Sequence, residues 1–181
     1  MKKLTSLLGL ILIISLISSC KKSDTEEEIF KPGNIDLSLK QQIIIQNTND
    51  FGIHLFKNMN SKAGNSNLFM SPLSISMALG MTYNGSAGTT KTAFEQTLGY
   101  TGLDQKDINI TYKTLLDYFP TCDNKVTLNI ANSIWYRQEF EILQSFIDTN
   151  KKYFYAQVSP LNFSDPGAKD VINKWVSDKT N

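Results

Sequence analysis

Apolar positions recur with a helical period over most of this chain and switch to a strand period in two places. Phe51, Leu55 and Met59 repeat every four residues and predict a helix from about Leu37 to Gly64 and Asn65, with Ile43 and Ile44 leading in. His54 lies beside that stripe and reads as a packing or edge residue. Asn67 to Met70 is a short apolar run that suits a strand end. Ser71 then offers an N-cap and Pro72 a first helical residue. In the helix from Pro72 to Tyr83, Leu73, Ile75, Met77, Ala78, Leu79, Met81 and Tyr83 point nearly all round, which predicts burial on most sides. Its polar members Ser71, Ser74, Ser76 and Thr82 are small hydroxyls that can be satisfied locally. Asn84 to Gly88 reads as a turn. Thr89 to Leu98 is an amphipathic helix closed by Gly99. Asp104 to Phe119 is another, with Ile108, Tyr112, Leu115, Leu116 and Phe119 inward and Pro120 as its stop.

The period changes at Val126. Val126, Leu128, Ile130, Asn132, Ile134 and Tyr136 share one face of a long strand. Asn132 interrupts that apolar face. A buried amide without a partner costs about 1–3 kcal/mol, so either Asn132 meets the small hydroxyls of the 72–83 helix or this face is exposed there. Helical spacing returns from Ile142 to Tyr155. Val158 to Phe163 reads as extended, with Pro160 placing it at an edge or bulge. Asp165 as N-cap and Pro166 as first residue open a last helix with Val171, Ile172, Trp175 and Val176 as its buried stripe.

Composition narrows the class. The chain has 181 residues, 41% hydrophobic and 10% aromatic, with 10 Gly and 5 Pro, which argues against disordered and collagenous chains. A formal charge of +1 without a dense basic stripe leaves no electrostatic footprint for nucleic acid. One His leaves little room for metal or triad chemistry, and no metal or cofactor is expected. Glycine-rich phosphate loops, zinc-helix motifs and a nucleophile elbow are absent from the sequence, which sets aside an enzyme.

The first residues add an address. Lys2 and Lys3 precede an apolar run from Leu7 to Ile17, shorter than the roughly 20 residues a membrane-spanning helix needs. Leu16-Ile17-Ser18-Ser19-Cys20 resembles a bacterial lipoprotein box. That resemblance implies a signal peptide over 1–19, cleavage before Cys20, and acylation of Cys20. Loss of residues 1–19 takes Lys2 and Lys3 and turns the formal charge from +1 to −1. With Cys20 lipidated, Cys122 is left as a free, mostly buried thiol and no intrachain disulfide forms. The acidic stretch around Glu26-Glu27-Glu28 reads as part of a flexible tether over 20–37. It also resembles surface-export signals of some bacterial lipoproteins. The expected location is the outer membrane or cell surface of a Gram-negative bacterium.

Four segments in order resemble the serpin family. Asn67-Leu68-Phe69-Met70-Ser71-Pro72-Leu73-Ser74-Ile75-Ser76-Met77-Ala78-Leu79 is similar to its second-helix signature, and Asn84-Gly85-Ser86-Ala87-Gly88-Thr89-Thr90 to the turn that follows. Leu128-Asn129-Ile130-Ala131-Asn132-Ser133-Ile134-Trp135 resembles the strand at the centre of the main sheet. Ile172-Asn173-Lys174-Trp175-Val176 with Thr180-Asn181 resembles the helix that crosses that sheet. The resemblance covers 38–181 and implies an α+β fold with N-terminal helices around a mostly antiparallel sheet. It implies that Ser71, Ser74 and Asn132 belong to the sheet-opening region, the shutter.

Serpin domains are well over twice as long as this segment, and their reactive loop lies near the C-terminal end. The expectation is therefore an incomplete domain, its C-terminal half and reactive-site loop absent from this chain. The full-length form would be a suicide inhibitor of serine, or else cysteine, proteases. It would act by inserting its cleaved loop into the sheet, with the membrane engaged through the lipid anchor. A non-inhibitory binding or scaffold lipoprotein on the same fold is the alternative.

Overall fold

A computed structural model describes residues 33–180. The signal segment 1–19, Cys20 and the tether up to residue 32 lie outside the described residues. Six helices and two strands follow in the order α1 (Leu39–Ala63), α2 (Pro72–Tyr83), α3 (Gly88–Leu98), α4 (Gln105–Tyr118), β1 (Ser133–Arg137), α5 (Gln144–Phe154), β2 (Gln157–Leu161) and α6 (Ala168–Thr180). A single 3-10 turn, Phe119–Thr121, carries Pro120 and ends α4.

The helix ends follow local chemistry. Ser38 caps α1 in a reciprocal box. Its hydroxyl accepts from the Gln41 backbone N–H, and the Gln41 side chain accepts from the Ser38 N–H at 3.0 Å. Ser71 caps α2, accepting from the Ser74 N–H at 3.3 Å, with Pro72 in the first turn. Asp104 caps α4 through the Lys106 N–H. The last helix differs from its expected start. Asp165 accepts from the Gly167 N–H, and the helical ladder begins only when the Gly167 carbonyl accepts from Val171. Asp165 and Pro166 thus form a turn ahead of α6 and do not cap it.

The core lies where α1, α2, α4 and α5 meet. Ile44, Met77, Met81, Tyr83, Leu98, Tyr100, Ile108, Tyr112, Leu116, Phe154 and Ala156 form its buried cluster. On α1 the buried line is Ile44, Thr48 and Gly52, not the Phe51–Leu55–Met59 stripe, and Met59 is exposed. The cause is the α1–α2 crossing. A Cβ on Gly52 would stand 2.8 Å from the Pro72 Cβ, so only glycine permits this approach, and it selects the face. On α2, burial falls on Ser76, Met77, Gly80, Met81 and Tyr83, while Ser74, Ala78 and Thr82 are exposed. The all-round apolar helix is therefore covered on one side only among the described residues.

Three tyrosines thread the core with their hydroxyls paired. Tyr112 donates to the Ser76 carbonyl and shares a hydrogen bond with Tyr100. Burial pushes the hydroxyl pKa of both upward. Tyr83 donates to Glu95 at 3.0 Å, and its pKa rises to about 12 through burial first and the Glu95 contact second.

The α+β class holds, with a small sheet. β1 and β2 pair in parallel, from Ser133 opposite Gln157 to Arg137 opposite Leu161, so the antiparallel pairing expected has no counterpart among the described strands. The long strand expected over Val126–Tyr136 is regular only from Ser133. Val126 to Ala131 has no neighbour strand to ladder with among the described residues, and Val126 and Leu128 are exposed. Pro160 sits within β2, where it lacks a donor to give. Helix α6 leans on the sheet through Trp175, whose indole N–H donates to Gln157 at 2.7 Å and whose ring meets Trp135 edge to face. Val171 and Val176, expected inside, are about half exposed.

Candidate functional site

The sequence singled out Ser71, Ser74 and Asn132, and the structure brings all three to one cleft of about 430 Å³. One wall is α2, with exposed Ser71, Ser74 and Ala78 and, beneath them, buried Met77 and Met81. The other is the extended segment Leu128–Ser133, and Thr180 of α6 closes an end. The α2 wall is low because its outward positions carry only Ser and Ala, and the N-cap at Ser71 fixes where that wall begins.

The polar pairing differs from the expected one. Ser71 and Ser74 hydroxyls bond each other at 2.9 Å. The Asn132 amide turns the other way and donates to the Phe154 carbonyl at 2.9 Å, while the Asn132 carbonyl accepts from the Gln157 N–H. Among the described residues, no hydrogen bond crosses the cleft between helix and strand. The physical reason is competition. The end of α5 leaves the Phe154 carbonyl free of a helical partner, and an unpaired buried carbonyl captures the nearest donor. Asn132 therefore ties its strand to the α5–β2 connection and leaves α2 alone.

That connection has its own fastening. Tyr155 follows α5 in the left-handed region, at φ 51°, where a bulky residue is strained. Its hydroxyl donates to Asp117 on α4 and its ring lies under the Lys113 ammonium. Lys113 and Tyr155 together hold the Asp117 carboxyl below its ordinary pKa, the lysine contact being the larger cause.

A second polar cluster was not legible in the sequence. Asn84, at the end of α2, accepts from Gln105 at 2.8 Å and from Asn109 at 3.0 Å, both on α4, and donates to Asn150 of α5 at 3.1 Å. Asn150 donates on to the Phe146 carbonyl at 3.1 Å. Asn109 and Asn150 are buried, and the Asn109 side-chain oxygen is left unpartnered. Polar residues scattered over three helices carry no periodic signal. Only Asn109 and Asn150, lying at otherwise inward helical positions, offered a hint.

His54 is exposed and shares a surface groove with Asp50 and Phe51. No cluster of metal-binding size occurs among the described residues. Cys122 is half-buried, its thiol bonded to the Phe119 carbonyl.

Comparison with known proteins places this geometry. A family model described as Serpin (serine protease inhibitor) matches residues 46–181. Neuroserpin of Gallus gallus is 32% identical over 133 residues, which cover 73% of this chain and 32% of that protein. Serpin A3-6 of Bos taurus is 30% identical over 171 residues, covering 93% of this chain and 40% of that protein. Among solved structures, native protease nexin-1 with heparin superposes with a TM-score of 0.69 at 27% identity, over 78% of this chain and 37% of that one. The chain thus spans between 32% and 40% of the length of the two curated relatives.

Proposed function

The chain belongs to the serpin family, and from that premise we propose that it supplies the N-terminal part of a protease inhibitor that traps its target by inserting a cleaved loop into an opening sheet. Serpins are, as a family, protease inhibitors and not enzymes. The observation that carries the proposal is the cleft between α2 and the Leu128–Ser133 segment. The three side chains find partners on their own side of the cleft, Ser71 with Ser74 and Asn132 with the Phe154 carbonyl. Parting the walls leaves the Ser71–Ser74 and Asn132–Phe154 bonds intact, so none of these three side chains is stranded. That suits a place where strands must separate. Ser71, Ser74 and Asn132 are the shutter residues on this reading.

The test uses the full-length protein with trypsin-, elastase- and subtilisin-like serine proteases and with a papain-like cysteine protease. A covalent complex that survives SDS is expected with at least one of them. Clean cleavage of the protein by all four, with no complex, would overturn inhibition in favour of a non-inhibitory fold.

We also propose that Cys20 carries a lipid anchor and holds the protein at a bacterial outer membrane or surface, on the strength of the apolar run and Leu16–Cys20. Two or more acyl chains, at about 0.8 kcal/mol per buried CH₂, anchor stably where one does not. Cys20→Ser should move the protein from the membrane fraction to the soluble one. Unchanged partition would remove the anchor.

A further inference from the structure

Asn84 is followed by Gly85, the one Asn-Gly pair in the sequence. That pair is chemically labile. The Gly85 backbone nitrogen can attack the Asn84 side-chain carbonyl carbon, forming a C–N bond. The side-chain amino group leaves as ammonia, carrying the proton lost from the Gly85 nitrogen. Water then opens the cyclic imide to aspartate or isoaspartate, and no other reactant is needed. Glycine speeds this because nothing crowds the attacking nitrogen.

The structure explains why so reactive a pair stands here. A Cβ on Gly85 would lie 2.9 Å from the Phe146 ring of α5, so any other residue must displace that ring. Asn84 is required by its three amide partners on α4 and α5. Packing on one residue and hydrogen bonding on the other demand the labile sequence together.

The same contacts hold the reaction off. Asn84 is in the helical region, φ −59° and ψ −24°, and the attack requires rotation out of it. The Gly85 N–H is occupied by the Thr82 carbonyl at 3.0 Å. Both ends of the Asn84 amide are tied, the oxygen by two donors and the nitrogen by Asn150. We propose that Asn84–Gly85 is a latent deamidation site, closed by the packing of α2, α4 and α5 and opened when that packing separates. Conversion would convert a donor to Asn150 into a carboxylate oxygen facing the Asn150 oxygen. The oxygen that accepts from Gln105 and Asn109 is kept, so the loss falls on the Asn150 contact. The modification is then self-reinforcing, since it weakens the packing that suppresses it.

Asn65–Ser66 provides an internal clock. It is exposed, its Ser66 N–H makes the same kind of turn bond, to Ala63 at 3.1 Å, and none of the three clamping helices touches it through hydrogen bonds. The purified protein is held at mildly alkaline pH, folded and in urea, and isoaspartate at both sites is followed by peptide mapping and mass spectrometry. In urea Asn84 should convert ahead of Asn65. In the folded protein Asn84 should slow by about tenfold or more and fall behind Asn65. Asn150→Ala, which frees the Asn84 amino group, should speed Asn84 and leave Asn65 unchanged, with circular dichroism confirming retained helix. Equal Asn84 rates in the folded and unfolded states would overturn the proposal, as would an Asn150→Ala variant with no acceleration.

Discussion

Phe154→Ala is expected to lower the unfolding free energy by about 3–5 kcal/mol, the usual cost of truncating a buried aromatic. Phe154 ends α5 with 0% exposure, and its ring meets Tyr112 at a centroid distance of 5.2 Å. It also fills the space over Gly80 of α2. The ring therefore joins α2, α4 and α5 at one point. Partial collapse is restricted, since Tyr112 is itself held by its hydrogen bonds to Tyr100 and the Ser76 carbonyl. A second consequence is local. The Phe154 backbone carbonyl receives the Asn132 amide, so a loosened α5 end also releases the Leu128–Ser133 wall of the cleft. Urea denaturation measures the first effect. Hydrogen exchange at the Gln157 N–H, which bonds the Asn132 carbonyl, measures the second. Phe154→Leu keeps most of the volume and should lose markedly less. A loss under about 1 kcal/mol for Phe154→Ala would mean that this corner is not closely packed.

Much of the helical framework could be read from local pattern. Ser71-Pro72, Asp104 and Gly99 are short-range signals whose physics needs no tertiary context, and all three mark observed helix ends. The Ile108–Tyr112–Leu115–Leu116 stripe of α4 is strongly one-sided, and it is buried as the spacing predicts. The buried face of α1 was not readable, because Ile43, Ile44, Ile45, Phe51, Leu55 and Phe56 offer apolar residues on several faces. A backbone approach at Gly52, decided by the neighbouring helix, made the choice. Strand extent failed for a related reason. Alternation from Val126 onward states which residues would share a face, but a strand exists only where a neighbour accepts its hydrogen bonds, and β2 reaches only Ser133–Arg137.

The site divides along the same line. Ser71, Ser74 and Asn132 line one cleft, a placement that follows from the fold. The hydrogen bonds among them do not, because Asn132 has two possible partners and the free carbonyl at the end of α5 wins.

Asn84→Leu is expected to be the most damaging single change outside the apolar core. It removes one acceptor and one donor that serve Gln105, Asn109 and Asn150 together. Asn150 is 0% exposed and Asn109 4%, so neither reaches water without opening the structure. Each stranded buried group costs about 1–3 kcal/mol, and Gln105, being only half-buried, can recover part of its loss from solvent. Asn84→Asp separates the two halves of the effect. It keeps an oxygen for Gln105 and Asn109 but sets a carboxylate oxygen against the Asn150 oxygen, so it should be destabilising in its own right yet milder than Leu. Its stability should also fall as pH rises through the carboxyl titration, since the ionised form is the one that repels. Paired replacement tests whether the cluster acts as a unit. Because Asn150→Leu removes the amide that Asn84→Leu strands, the double variant should lose less than the sum of the singles. Strict additivity would show that the amides sit side by side without sharing energy. A clear coupling would mean that one carboxamide fastens the end of α2 to both α4 and α5, which is why the fold keeps an Asn in front of a Gly.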